Sequence, residues 1–198
     1  HYRDRRQRQM CIRDRAFTEP ELALQQFAGS WCVIEGENQL GQRLERWCNT
    51  LGARPLRVDV LNKRLYHAAA MTASNFMLAT LGLAERMALE AGLHSPQAQQ
   101  LLSALAMRNV QAAAEHTEDE RGIATALTGP LERGDTATLQ RLFAQVADSK
   151  LTDHDQQLWR ALVLACLPLL QEKKTLSSEQ LAASVSYTHL TLPTLAIV

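Results

Sequence analysis

No Gly-x-Gly-x-x-Gly fingerprint and no phosphate-binding loop occurs anywhere in the chain, so it does not itself carry a cradle for a dinucleotide pyrophosphate. No nucleophile motif is present. Aromatic residues are only 5% of the sequence; Ala and Leu dominate instead, which favours helices. Cysteine is scarce and scattered: Cys11, Cys32, Cys48 and Cys166 form no metal motif. The last three read as small core residues of a reducing compartment, and the expected location is the cytoplasm. No apolar run reaches the length of a membrane span, because Glu85 and Arg86 interrupt the best candidate. Neither sign of charge is in excess, with 21 Lys and Arg against 21 Asp and Glu.

That balance changes once the ends are considered. Arg5 to Arg15 (RRQRQMCIRDR) and Val185 to Thr194 (VSYTHLTLPT) can be encoded by one short DNA read on opposite strands. Protein physics does not produce such complementarity. Residues 1–15 and 185–198 are therefore read as adapter-derived sequence flanking a fragment. Removing the six Arg and two Asp of residues 1–15 leaves 15 basic against 19 acidic residues. The Arg5, Arg6 and Arg8 cluster drops out with its segment, and no case for nucleic acid remains.

About 170 residues then suit one domain, or one and part of another. Thr18 to Phe27 reads as a short helix. Trp31 to Ile34 is a continuous apolar run ending in Glu35–Gly36, the pattern of a strand buried on both faces. Gln39 to Leu51 places Leu40, Leu44, Trp47, Cys48 and Leu51 on one helical stripe, with Gly52 as its stop. Pro55 to Val60 alternates as a second short strand. The central element is a long helix over about Leu61 to Ala91, apolar around most of its circumference and so expected to be wrapped by other helices. Ser95–Pro96 opens the next, through about Ala114, with Leu101, Leu102, Leu105 and Val110 inward. Ile123 to Leu127 is a short turn or helix. Asp135 caps a helix to about Ala147 carrying Leu139, Leu142, Phe143 and Val146 on one side. Asp153 caps another, with Leu158, Leu162, Ala165 and Leu169 inward and a break at Pro168. Ser177 begins a last helix.

Two groups of residues can carry chemistry. At about 100° per residue, Lys63, His67 and Ser74 share one face of the long helix within roughly 60°, with Asn75 at its edge. His67 suits a general acid or base, Lys63 an anion contact or proton donor, and Ser74 and Asn75 hydrogen bonds to a carbonyl or carboxylate. The alternative is structural: His67 and Asn75 satisfy backbone groups between helices, and Lys63 sits on a solvated first turn. The second group is Thr128–Gly129–Pro130 with Arg133, Gly134 and Asp135, a turn able to offer backbone N–H groups to an anion. Its alternative is loop punctuation and a helix cap. His94, His116 and His154 read as surface residues, and no metal site is expected.

The run KRLYHAAAMTASNFMLATLGLAE (63–85), followed by ALTGPLERGD (126–135), resembles the C-terminal domain of Rossmann-like proteins of unknown function. These are similar to the pyrroline-5-carboxylate reductase and 6-phosphogluconate/3-hydroxyacid dehydrogenase superfamily. The resemblance implies a mainly α fold: the last strands of a truncated Rossmann domain over 16–38, then a helical substrate and dimerisation domain over 39–184. It implies NAD or NADP as cofactor, bound mostly by sequence absent from this chain, a small-molecule substrate and a homodimer. Lys63 and His67 would be the catalytic pair, with Ser74, Asn75, Thr128, Gly129 and Arg133 around the substrate. The spacing of Lys63 and Asn75 departs from that of the hydroxyacid dehydrogenases, and His67 is an addition. The competing reading is a non-catalytic helical module for dimerisation or partner binding.

Overall fold

The computed structural model describes residues 10–13, 27–36, 38–115, 122–174 and 176. The helices expected at 18–27 and from Ser177 onward lie almost wholly outside the described residues. What is described is mainly helical, with a short β-strand region at its start. Two compact units divide at Met77/Leu78, and the strands, the first helix and the start of the long helix belong to the first.

The first unit is a three-stranded sheet and a crossover helix. Its strands are β1 (Met10–Arg13), β2 (Trp31–Glu35) and β3 (Arg54–Val58), in the order β1-β2-β3. The β2–β3 pair is parallel, from Trp31 opposite Arg54 to Glu35 opposite Val58, and is bridged by α1 (Asn38–Thr50). The two expected strands and the helix between them form a βαβ unit. The β1–β2 pair is antiparallel. A strand edge pairs through backbone groups whatever the side chains, so β1 leaves the reading of residues 1–15 where it stood. Cys32, Val33 and Ile34 are all buried, as expected of a strand covered on both faces. Cys32 and Ile34 pack with Cys48 and Ala53, and Phe27 and Leu44 close the cluster. The rest of the α1 stripe differs from expectation: Leu40, Trp47 and Leu51 are exposed, because this small sheet covers only the Leu44–Cys48 side. At the end of α1, Ala53 N–H bonds Cys48 O at 2.8 Å and Gly52 N–H bonds Asn49 O at 3.0 Å. Gly52 sits at φ +75, so the helix stops in a left-handed turn that glycine adopts without strain.

Helical residues then run consecutively from Lys63 to Glu90. They comprise α2 (Lys63–Met71), a π-helical turn (Thr72–Phe76) and α3 (Met77–Glu90). Asn62 caps the start, its side-chain oxygen accepting from Leu65 N–H at 3.2 Å. The wrapped, buried rod expected from composition is not what forms. No residue of α2 or of the π-turn is buried, and Leu83 is the buried residue of α3. Apolar composition describes what a helix can bury, not what this chain supplies to cover it.

The second unit, from Leu78, is all helical. After α3 come α4 (Ser95–Glu115), a 3-10 turn (Gly122–Ala126), α5 (Thr136–Ala147), α6 (Asp153–Ala165) and α7 (Leu167–Lys173). The break between α6 and α7 falls beside Pro168, as expected. Leu83, Ala98, Ala124, Leu139, Val146, Val163 and Leu170 form the interior, and Phe143 meets Trp159 edge to face at 4.9 Å. Three expectations are corrected here. Leu101, Leu105 and Val110 of α4 are exposed, Leu142 of α5 is exposed, and α6 buries Val163 and Asp155 rather than the Leu158 to Leu169 stripe. The α6 cap is Thr152, whose Oγ1 accepts from Asp155 N–H at 3.1 Å; Asp153 is already inside the helix. Among the described residues, no helix is long and apolar enough to cross a membrane.

Leu83, 2% exposed, anchors α3 in this interior. Leu83→Ala is expected to destabilise the chain by roughly 2–5 kcal/mol, read from the urea midpoint at an unchanged m-value.

Candidate functional site

The best-formed polar cluster lies where the carboxyl end of β2 meets the first turn of α2. The Glu35 carboxylate lies one strand step beyond the buried Ile34. Its Oε1 accepts from Leu61 N–H at 3.0 Å, and its Oε2 lies 2.6 Å from Lys63 Nζ. The Glu35 side chain is mostly buried, and that of Lys63 is partly exposed. Lys63 above all, and the Leu61 N–H, hold the Glu35 carboxyl below its ordinary range, against the opposing effect of burial. In open α/β sheets the carboxyl ends of parallel strands are where ligands sit. Glu35 was missed in the sequence, where it read only as the end of an apolar run.

Lys63, in the first turn of α2, is thus already paired. His67 is exposed one turn further along α2, its Cβ about 6 Å from that of Lys63 by helix geometry. Ser74 and Asn75 are exposed and lie within the π-turn. Ser74 Oγ donates to Ala70 O at 2.7 Å and lies 3.3 Å from Asn75 Oδ1. The hydroxyl therefore serves its own helix. The π-turn also holds one residue more than an α-turn, so the α-helical phase that aligned Ser74 with His67 does not carry through it.

Thr128, Gly129 and Arg133 belong to the second unit. The turn forms as expected, with Gly129 at φ +96 and Asp135 capping α5 through Thr138 N–H at 3.0 Å. Four of its backbone donors are used internally: Arg133, Gly134, Asp135 and Thr136 N–H bond Gly129, Leu131, Pro130 and Gly134 carbonyls at 2.9–3.2 Å. Lys173, on α7, holds the segment in place, its Nζ 2.6 Å from Leu127 O and 3.3 Å from Glu132 Oε1.

A second ion pair was also invisible in the sequence. Arg86 of α3 grips the buried Asp155 of α6 through two nitrogens, Nε at 3.1 Å and Nη2 at 2.5 Å. Thr152 Oγ1 adds a hydrogen bond to the same carboxylate at 3.0 Å. Arg86 and then Thr152 hold the Asp155 carboxyl below its usual range, against burial, which raises it. The partners are 69 residues apart, and no periodicity reports such a pairing. The second unit also has an open groove of about 520 Å³ lined by Met87, Ala91, Leu142, Gln145 and Val146 among others. Among the described residues no His, Cys, Asp and Glu grouping could hold a metal ion.

These shifts fix a sign. Glu35 and Asp155 are more acidic in the folded chain than unfolded. Their stabilisation is complete above the ordinary carboxylate pKa of about 4 and is lost as pH falls through the lowered folded values. Glu35→Gln is expected to be less stable than the unaltered chain at pH 7, with the difference narrowing toward pH 2. Urea unfolding at several pH values reads this directly, and a constant difference across that range would contradict it.

A solved structure of the protein TM1727 from Thermotoga maritima is similar in fold, with a TM-score of 0.59 and 21% identity. The similarity covers 83% of this chain and 62% of that one, so this chain spans less than two thirds of its structural relative. No curated protein matches the chain. Residues 30–166, well over half of the sequence, match the model of a domain of unknown function, DUF2520, and the chain belongs to that family.

Proposed function

We propose that this chain is the C-terminal part of a cytoplasmic NAD(P)-dependent oxidoreductase acting on a small polar substrate. The observation that carries this reading is the Glu35–Lys63 pair at the carboxyl ends of two parallel strands, with His67 one turn away. Lys63 would hold a substrate oxygen through its remaining N–H donors, and His67 would exchange the proton that accompanies reduction or oxidation. Glu35 fixes where the lysine can reach. Ser74 and Asn75 are at most outer contacts, since Ser74 is committed to Ala70 O.

The described residues do not fit the nicotinamide cofactor itself. At the end of β2 the Glu35 carboxylate stands where a pyrophosphate needs backbone donors, and the sequence that follows, Gly36–Glu37–Asn38, holds a single glycine. The cofactor would be bound by other residues of the whole protein. Residues 16–184 alone are expected to show no micromolar binding of NADPH by calorimetric titration. In the full-length protein, screened for NAD(P)H-linked turnover of small carbonyl and hydroxyl compounds, Lys63→Met and His67→Ala are each expected to lower kcat by about 10²–10⁴-fold. Unchanged turnover in His67→Ala removes the histidine from the chemistry.

A second reading, compatible with the first, is pairing with another copy of the chain. Leu101, Leu105, Met107 and Val110 of α4 are all exposed, and only Arg108 and Glu115 are charged in its 21 residues. A helix with apolar residues exposed around it and so little charge does not repel its own copy, which favours a two-fold homodimer. Sedimentation of the 198-residue chain is expected to give a dimer at micromolar concentration, and Leu105→Lys with Val110→Lys a monomer of unchanged helicity.

A further inference from the structure

The open groove of the second unit lies where two helices end. Met87 and Glu90 come from the last turn of α3, Leu142 and Val146 from α5, and Leu151 from the segment that follows. Val146 is buried, and Met87 and Leu151 are half-buried. At about 520 Å³ the groove has the size of a small-molecule site. Such sites are mostly apolar with a few fixed polar groups, and this one has that make-up.

The charge on the groove has one sign. Glu90 is the one charged residue among those that line it. Its Oε1 accepts from Lys150 N–H at 2.6 Å, which fixes the carboxylate at the end of the groove. Lys150 lends its backbone here and not its ammonium, and no cation is paired with Glu90 among the described residues. Glu90 is also the last residue of α3, and α5 ends at Ala147, so the negative ends of two helix dipoles fall at this groove. Neither helix carries a basic residue in its last turn, where Lys, Arg or His ordinarily offsets that charge. Donors are few by contrast. Of the lining side chains only Gln145 and Ser149 have one, and the Ser149 hydroxyl donates to Val146 O at 2.7 Å. An anion finds little to hold it, and a cation finds a fixed carboxylate.

We propose that this groove is a binding site for a small amphiphilic cation, an organic ammonium with an apolar body. The body lies against Met87, Leu142 and Val146, and the ammonium meets the Glu90 carboxylate beside the two helix ends. The site lies wholly within the second unit and does not depend on any catalytic role for Lys63 or His67.

Three probes with one tail and different heads test it: octylammonium, octan-1-ol and octanoate. Each is titrated into the 198-residue chain, and the backbone amide shifts of residues 87–91 and 142–151 are followed by NMR. Octylammonium is expected to move these amides at millimolar concentration and to bind about fivefold more tightly than octan-1-ol, with octanoate weakest. Glu90→Gln is expected to bring octylammonium within about twofold of octan-1-ol and to leave octan-1-ol itself unchanged. Leu142→Gln, at an exposed position, is expected to weaken both alike. No movement with octylammonium, movement confined to other parts of the chain, or equal affinity for the three heads overturns the proposal. So does a Glu90→Gln chain that keeps the full preference for octylammonium, or one that loses octan-1-ol in the same proportion, since the glutamate then shapes the groove and does not read charge. The three-probe comparison in the unaltered chain decides the matter even if a variant fails to fold.

Discussion

Two ion pairs hold the long helix, and most of what is ordered about the chain depends on them. Lys63–Glu35 ties the first turn to the end of a buried strand, and Arg86–Asp155 ties the later turns to a buried carboxylate on α6. Each carboxylate is already satisfied by a second donor, Leu61 N–H in one case and the Thr152 hydroxyl in the other. That is the condition under which a shielded charge is tolerated: removing one partner leaves a carboxylate with too few donors, which costs more than the pair contributes. The Arg86 pair is also bidentate, so it fixes direction as well as distance. Buried Leu83 sets the later turns by packing, and the two ion pairs add direction near each end by charge.

The apolar surface left uncovered follows a pattern. Exposed Leu40, Trp47 and Leu51 line α1 of the first unit, and exposed Leu101, Leu105, Met107 and Val110 line α4 of the second. Single exposed apolar residues are ordinary, but rows of them on helices of low charge are not. In the first unit the sheet is too narrow to cover the helix laid across it.

Local patterns were legible in the sequence, and pairings between distant residues were not. The buried strand Trp31–Glu35, the βαβ crossover, the Gly52 stop and the Asp135 cap all follow from short-range rules, and the structure has each of them. The family resemblance drawn from residues 63–85 and 126–135 agrees with the DUF2520 match at the level of the domain. Burial was the main misreading. Apolar composition shows what α4 and the long helix can bury, not what covers them. The candidate site was half legible: Lys63 stood out on its helix, whereas Glu35 is 28 positions earlier and acquires meaning only when β2 and α2 meet. Ser74 and Asn75 looked aligned with His67 because a π-turn leaves no clear mark in composition.

The Glu35 pairing also narrows what Lys63 can do. A free ammonium at a strand end attracts any anion. One held 2.6 Å from a carboxylate presents a pair with no net charge, so a second carboxylate arriving there meets repulsion from Glu35 as well as attraction from Lys63. An uncharged oxygen, carbonyl or hydroxyl, pays no such penalty and still accepts from the lysine. The geometry at the end of β2 is therefore better matched to a polar neutral group than to a phosphate, and it is the fixed carboxylate, more than the lysine itself, that makes the distinction.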